Sequence, residues 1–240
     1  MATATPHLRI SERFVSLQGE GQLVGVPSSF VRVSGCNLRC TWCDSPATSW
    51  APVGEPQELD ALVDFCARGP RHVVLTGGEP LLFAAVAPLS QRLRAAGHHI
   101  TVETAGTVWL PELACDLLSL SPKLAHSTPW LRAPKLAQRH EQTRLDLVVL
   151  GRLLASFDNW QLKFVVRAAE AAADLAEIEG LLQALAVPAR ERHRVLIMPE
   201  CVDPAALAGS YRLLVGACIE RGFRLGERLH IALFGHTPGT

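Results

Sequence analysis

Three cysteines inside eight residues, Cys36-Asn37-Leu38-Arg39-Cys40-Thr41-Trp42-Cys43, constrain this chain more than any other stretch. Spacings of four and then three let one loop aim three thiolates at one small inorganic object. They leave too little chain to pair the thiols comfortably with one another. The number of ligands is informative. A closed structural zinc site takes four protein ligands, and single [4Fe–4S] clusters of electron-transfer proteins take four cysteines. Three protein ligands leave one metal position open for a substrate or cofactor.

Downstream lies Thr76-Gly77-Gly78-Glu79-Pro80. Cys-x-x-x-Cys-x-x-Cys with Trp42 before the last cysteine, followed by this Gly-Gly-Glu run, resembles the radical S-adenosylmethionine superfamily. The resemblance implies a [4Fe–4S] cluster on Cys36, Cys40 and Cys43. S-adenosylmethionine would bind the fourth iron through its amino and carboxylate groups, with Trp42 beside it.

The bulk numbers fit an enzyme of that kind. A chain of 240 residues, 48% of them hydrophobic, buries one sizeable core and reads as a single domain over 1–240. Lys plus Arg, 23, equals Asp plus Glu, 23, so the basic excess of a nucleic-acid binder is missing. Met1 to Pro6 shows no basic stretch followed by an apolar run, and no run is long enough to span a membrane. Seven cysteines, an odd count without a leader, point to a reducing compartment, the cytoplasm. Cys66, Cys115, Cys201 and Cys218 stand alone in apolar stretches and read as small buried hydrophobes.

Along the chain, Leu8 to Leu17 reads as extended and leads into Gln18-Gly19-Glu20-Gly21, where glycines permit a tight turn. Ser29 to Val33 is a short strand running into the cysteine loop. Glu58 to Arg68 carries the helical stripe Leu59, Leu62, Val63, Cys66. Strands follow at His72 to Thr76, His99 to Glu103, Leu117 to Leu120, Gln161 to Val166, Val195 to Met198 and Leu229 to Phe234. Helices are expected at about Phe83 to Ala96 (with Pro88 as a kink or a shifted start), Glu141 to Phe157, Ala171 to Ala186 and Pro204 to Arg221. Ala125 to Pro134 reads as loop. Alternating strands and helices imply parallel βαβ units, and six or seven strands are too few to close an eight-stranded barrel. An open, partial (β/α) barrel is expected.

In such a fold the loops after the strands converge. They carry the cysteine loop, Gly77 to Pro80, Glu103-Thr104, Ser121-Pro122-Lys123 and Gln161 to Lys163. Gly77 and Gly78, without side chains, let backbone carbonyls approach the cofactor's ammonium group, and Glu79 adds a negative acceptor for it. Glu103 reads either as a solvated strand-end charge or as pointing towards the cofactor's ribose or methionine. Ser121, Pro122 and Lys123 bring a hydroxyl and a cation suited to a carboxylate or ribose. Lys163, inside an apolar strand, needs a polar partner and is read, with Gln161, as facing the barrel interior and a polar ligand, the cofactor. Cleaving the cofactor's carbon–sulfur bond takes one low-potential electron, which an all-thiolate cluster in an apolar pocket supplies.

A narrower resemblance comes from Phe14-Val15-Ser16-Leu17-Gln18-Gly19-Glu20-Gly21, Phe30 to Leu38, Cys43-Asp44-Ser45, Ser121-Pro122-Lys123, Lys163-Phe164-Val165 and Met198-Pro199-Glu200. Spread over nearly the whole chain, these are similar to the 7-carboxy-7-deazaguanine synthase family. The resemblance implies conversion of 6-carboxy-5,6,7,8-tetrahydropterin to 7-carboxy-7-deazaguanine with ring contraction and loss of ammonia, on the route to queuosine. It also implies Mg²⁺ on the substrate carboxylate, held by Ser45, which suits an ion taking hard oxygen ligands. Leu17, Gln18, Gly19, Arg32 and Thr76 would line the pterin site, with Arg32 on the carboxylate. His230 is either a further substrate contact or a satisfied core histidine. The tail Gly235-His236-Thr237-Pro238-Gly239-Thr240 departs from the more basic ending of many members. A flavodoxin or ferredoxin is the expected electron donor, and a homodimer would cover the sheet edges.

Three rival readings have their own arguments. An activating enzyme that installs a glycyl radical on a partner protein shares the cysteine loop, but lacks a reason for Leu17-Gln18-Gly19-Glu20 and Ser121-Pro122-Lys123. A non-enzymatic iron–sulfur or zinc module leaves the polar strand ends unexplained. A tRNA-modifying radical enzyme is disfavoured by the neutral charge.

Overall fold

The computed structural model describes residues 7–240; the reading made on Met1 to Pro6 lies outside them. The chain opens with an antiparallel hairpin of β1 (His7–Leu17) and β2 (Pro27–Val33), in which Glu12 faces Arg32 and Phe14 faces Phe30. β3 (Glu55–Glu58) pairs antiparallel with the other side of β1. From there strands and helices alternate: α1 (Leu59–Ala67), β4 (His72–Gly77), α2 (Val86–Ala95), β5 (His99–Thr104), β6 (Leu117–Leu120). The second half holds α3 (Pro134–Thr143), α4 (Leu147–Ser156), β7 (Trp160–Val166), α5 (Ala171–Ala184), β8 (Val195–Pro199), α6 (Pro204–Arg221), β9 (Arg224–Leu225) and α7 (Leu229–Phe234).

All strands join one sheet in the order β3-β1-β2-β4-β5-β6-β7-β8-β9. Every pairing from β2 onward is parallel. β3 and β9 stand at opposite edges, so the barrel is open, as expected. The parallel strands are apolar on both faces because helices cover one side and the barrel interior the other. Val73, Val74, Ile100, Val102, Leu162, Phe164 and Ile197 are fully buried, and Leu59, Leu62 and Cys66 bring the apolar stripe of α1 onto them. Among the described residues, no helix is long and apolar enough to cross a membrane.

Several expectations need correction. The sheet has nine strands rather than six or seven. The two missed ones are the polar edge Glu55–Glu58 and the two-residue β9, both too short to show a period. The stretch Leu229 to Phe234 is the helix α7, not a strand; a six-residue apolar run reads equally well as either. Only Ile231 is buried there, as one face of a helix requires. The single helix expected over Glu141 to Phe157 is two. Asp146 caps α4 by accepting from the amides of Val148 and Val149, both at 3.0 Å, and so ends the preceding turn. α2 starts at Val86, which puts Pro88 in the first turn, where a missing N–H costs nothing. Cys66 and Cys218 are buried as expected, but Cys115 and Cys201 are only partly so, and the Cys201 thiol donates to the Asp203 carbonyl.

Gly77 ends β4 with φ +134°, and a Cβ there would lie 2.3 Å from the Val33 carbonyl oxygen on the neighbouring strand. Gly78 is equally hemmed in, 2.2 Å from the Gly35 oxygen. These glycines are therefore demanded first by the close packing of two strand ends. We expect Gly77→Ala to lower stability by about 2 kcal/mol or more, through backbone strain plus this clash. Gly97→Ala serves as the comparison, since φ is +87° with nothing within 4 Å of the added carbon, and should cost less. Denaturant midpoints of the two variants check the order.

Candidate active site

A cavity of about 430 Å³ opens where the parallel strands end. The cysteine loop forms one wall. Leu38, Cys40 and Ala105 make a small apolar cluster against which Cys36 and Cys43 pack. The Leu38 amide donates to Cys36 Sγ at 3.3 Å, Cys43 Sγ lies 3.2 Å from Ser49 Oγ, and Trp50 Nε1 donates to the Cys40 carbonyl at 2.9 Å. Burial pushes the Cys36 thiol up to about 11 and that of Cys40 up to about 12. Alone they hold their protons at neutral pH; as ligands they would release them to a metal. Among the described residues, no three His, Cys, Asp or Glu side chains converge on one metal ion.

Next to the thiols, Lys123 Nζ donates to Ser121 Oγ at 2.8 Å and stands 5.3 Å over the Trp42 ring. Trp42 Nε1 is buried without a partner. Ser121, Lys123, Trp42, Gly77 and Gly78 all line the cavity. Three residues expected at the cofactor do not. Glu79 is wholly buried behind the wall, and its carboxylate accepts from the Leu81 amide at 3.0 Å, the Ala105 amide at 2.8 Å and Thr104 Oγ1 at 2.7 Å. It ties the end of β4 to the end of β5, and burial raises its carboxyl above the usual range. Gln161 is likewise spent, donating to Ser119 Oγ at 2.8 Å and accepting the Gln22 amide at 2.8 Å. Pro122 is buried beneath Ser121 and Lys123.

The floor of the cavity is a chain of charges. Lys163 Nζ, 3% exposed as a residue, donates to Glu103 Oε1 at 3.0 Å and Glu20 Oε2 at 3.1 Å. Glu103 also accepts from Thr76 Oγ1 at 2.9 Å and Gln18 Nε2 at 3.4 Å. On the far side, Arg228 Nε donates to Glu20 Oε1 at 3.1 Å, and its NH2 group donates to Asp44 Oδ2 at 2.8 Å. Burial alone would raise the carboxyl of Glu20, but Lys163 and Arg228 reverse that and hold it far below its ordinary value. Burial would likewise lower Lys163, yet the two carboxylates push it up. Lys163 faces the interior, as expected, but protein carboxylates are its partners. Glu103, expected at the cofactor, belongs to the same network.

The hairpin supplies the remaining wall. Arg32 Nε donates to Glu12 Oε1 at 2.5 Å, directly across the two strands, and its NH1 group donates to Ser45 Oγ at 3.3 Å. His230 sits so close over Gly19 that an added Cβ would meet its Nδ1 at 2.1 Å. The imidazole thus comes to the site from α7 rather than from a strand, and burial lowers its pKa. The tail returns to the same cavity: His236 Nε2 lies 2.8 Å from the Asp44 carbonyl, and Thr237 to Thr240 line the opening. Leu17, Gln18, Gly19, Arg32, Thr76, Ser45 and His230 are therefore brought together on one wall.

Sequence reasoning missed Glu12, Glu20, Asp44 and Arg228 as site residues. A lysine inside an apolar strand demands carboxylates, and Glu20, beside Gln18 and Gly19, was the nearest candidate. Arg228 sits in a stretch with no local pattern and could be found only in three dimensions.

Residues 30–127 match the family model of the Radical SAM superfamily. The 7-carboxy-7-deazaguanine synthase of Rhodopirellula baltica is 44% identical over 235 residues, covering 97% of this chain and 89% of that protein. That of Halobacterium salinarum is 44% identical over 245 residues, covering 98% and 93%. Among solved structures, QueE from Escherichia coli aligns with a TM-score of 0.64 at 25% identity, covering 93% of this chain and 95% of that one. Streptococcus suis SuiB bound to precursor peptide SuiA, at 12% identity and a TM-score of 0.55 over 82% of this chain and 46% of its own, shares the fold alone. With such identity over nearly the whole of each relative, this chain belongs to the 7-carboxy-7-deazaguanine synthase family of radical S-adenosylmethionine enzymes.

Proposed function

We propose that this chain is a single-domain enzyme converting 6-carboxy-5,6,7,8-tetrahydropterin to 7-carboxy-7-deazaguanine, with ring contraction and release of ammonia. One observation carries the reading. The three thiols and the Ser121–Lys123 pair share a single cavity with Leu17, Gln18, Gly19, Arg32, Thr76 and His230. Cofactor and substrate therefore meet without a channel. A bound [4Fe–4S] cluster with S-adenosylmethionine would supply the electron that breaks a carbon–sulfur bond and the radical that abstracts hydrogen from the pterin.

The chain's own residues bind, orient and exclude water. Lys123, held by Ser121, offers a cation to the cofactor's carboxylate. Arg32 keeps three N–H donors free beyond its bonds to Glu12 and Ser45 and suits the substrate's carboxylate. Ser45, beside it, would present a hydroxyl oxygen to Mg²⁺. Thr76 and Gln18, fixed on Glu103, present set donors and acceptors to the heterocycle. His230 over Gly19 and the tail at the opening narrow the access of water. The same reading puts the enzyme in the cytoplasm, as a homodimer served by a flavodoxin or ferredoxin.

We expect Cys40→Ala to retain the fold by circular dichroism while losing cofactor cleavage and most bound iron after anaerobic reconstitution. Retained cleavage would remove Cys40 from the ligand set. Ser45→Ala should flatten the response of turnover to added Mg²⁺, and an unchanged metal titration would count against that role. Lys163→Met leaves Glu103 without a charged partner and Glu20 with Arg228 alone, and should cost about 3 kcal/mol at neutral pH. Both carboxyls lie below their unfolded values in the native chain, so they stabilise it above the ordinary carboxylate range and cease to do so as pH falls. The gap between wild type and Lys163→Met should accordingly narrow below about pH 5, as denaturation across pH would reveal.

A further inference from the structure

The reaction proposed above draws one electron from outside the chain, and one surface behind the cysteine loop is built unlike its surroundings. Ahead of α3, Trp130 is 54% and Leu131 fully exposed, and Leu136 on the helix is 42% exposed. Arg132, Lys135 and Arg139, all exposed, surround them. From Trp130 to Arg139 there are three cations and no carboxylate, in a chain whose net charge is zero. Among the described residues none of the three joins an ion pair, and the neighbouring carboxylates Glu141 and Glu177 are both taken by Arg144.

Helix stability does not explain these charges. Lys135 lies in the first turn of α3, which holds no acidic residue, and a cation there opposes the helix dipole. Lys135 and Arg139, one turn apart, share the outward face, while Ala137 and His140 point inward.

The inward side of this segment grips the cysteine loop around Cys40. The Arg39 amide can only donate, so His140 Nδ1 accepts it at 2.9 Å and His140 Nε2 donates to Ser127 Oγ at 2.9 Å. The Thr41 amide donates to the Ser127 carbonyl at 2.8 Å. Arg132 donates to the Thr41 carbonyl at 3.4 Å and lies 3.8 Å over the Trp50 ring, whose Nε1 bonds the Cys40 carbonyl. Both neighbours of one thiol, and that cysteine's own carbonyl, are thus tied to the basic, apolar surface.

We infer that the Trp130–Arg139 surface docks an acidic single-electron carrier protein, which reduces the group held by Cys36, Cys40 and Cys43. This rests on the radical reading of the site. The carrier loses one electron and the iron–sulfur group gains it, with no bond or proton exchanged at the interface. An apolar centre ringed by cations complements an acidic rim around a carrier's exposed redox group. A second copy of this chain, meeting the same patch in a two-fold contact, would set cations against cations.

The test uses cluster-reconstituted enzyme, a flavodoxin as the acidic carrier, and two variants, Lys135→Glu/Arg139→Glu and Leu131→Ser. Titration at low salt should show saturable binding that added salt weakens. The charge-reversed variant should bind about tenfold more weakly. Leu131→Ser should also bind more weakly, with its salt dependence unchanged. Dithionite-driven turnover should stay within about twofold of wild type in both, while turnover at limiting flavodoxin falls as binding does. Unchanged flavodoxin binding in both variants overturns the docking surface. Absence of product from wild type with dithionite would instead overturn the proposed reaction, and the binding titration would still decide the surface.

Discussion

Lys163 is a full positive charge buried in a parallel sheet, and the rest of the site is arranged to make that tolerable. A lone buried ammonium is prohibitive. Glu103 from the adjoining part of the barrel and Glu20 from the turn after β1 answer it at 3.0 and 3.1 Å. Glu20 in turn engages Arg228, which reaches Asp44 on the exit of the cysteine loop. The chain of charges joins the first strand's turn, the barrel floor, the cysteine loop and the last helix. None of these segments neighbours all the others in sequence. A buried network of this kind adds little net stability, but it fixes one arrangement, because any slip leaves a charge unpaired.

The architecture divides the work between two kinds of strand pairing. The parallel strands end in the loops that surround the thiols; Gly77 and Gly78 pack the end of β4 against that of β2, and Glu79 ties it to the end of β5. Glu79 does this from behind the wall, accepting two amides and a hydroxyl. The hairpin of β1 and β2 breaks the βαβ rule and carries Leu17, Gln18, Gly19 and Arg32 of the proposed substrate contacts, while Thr76 comes from β4 and His230 from α7. Arg32 on β2 faces Glu12 on β1, so its guanidinium is already oriented at the cavity edge.

Radical chemistry also makes exclusion of water a structural requirement. Pieces far apart in the chain frame the cavity where it would be needed. His230 closes over Gly19, where no side chain would fit, and the Leu229 amide bonds the Gly19 carbonyl at 2.8 Å. His236 returns the tail to Asp44. The C-terminal segment is thus held at both ends against the loop and turn that frame the cavity.

Much of this was legible in the sequence. Cysteine spacing, apolar strands ending in glycine or polar turns, and helical stripes such as Leu59, Leu62 and Cys66 are local patterns, and local patterns survive in one dimension. They determined the open barrel, the three-thiol loop and most of the residues that meet in the cavity. What only the tertiary structure decided concerns partners. Glu79 and Gln161 stand in suggestive positions, yet their polar atoms are consumed inside the wall. Leu229 to Phe234 is an apolar run that could be strand or helix, and only the structure shows it as a helix burying Ile231. Arg228 shows no pattern and still holds the charge network together. A side chain's role depends on which groups saturate it, and those groups arrive from distances in sequence that no local periodicity records.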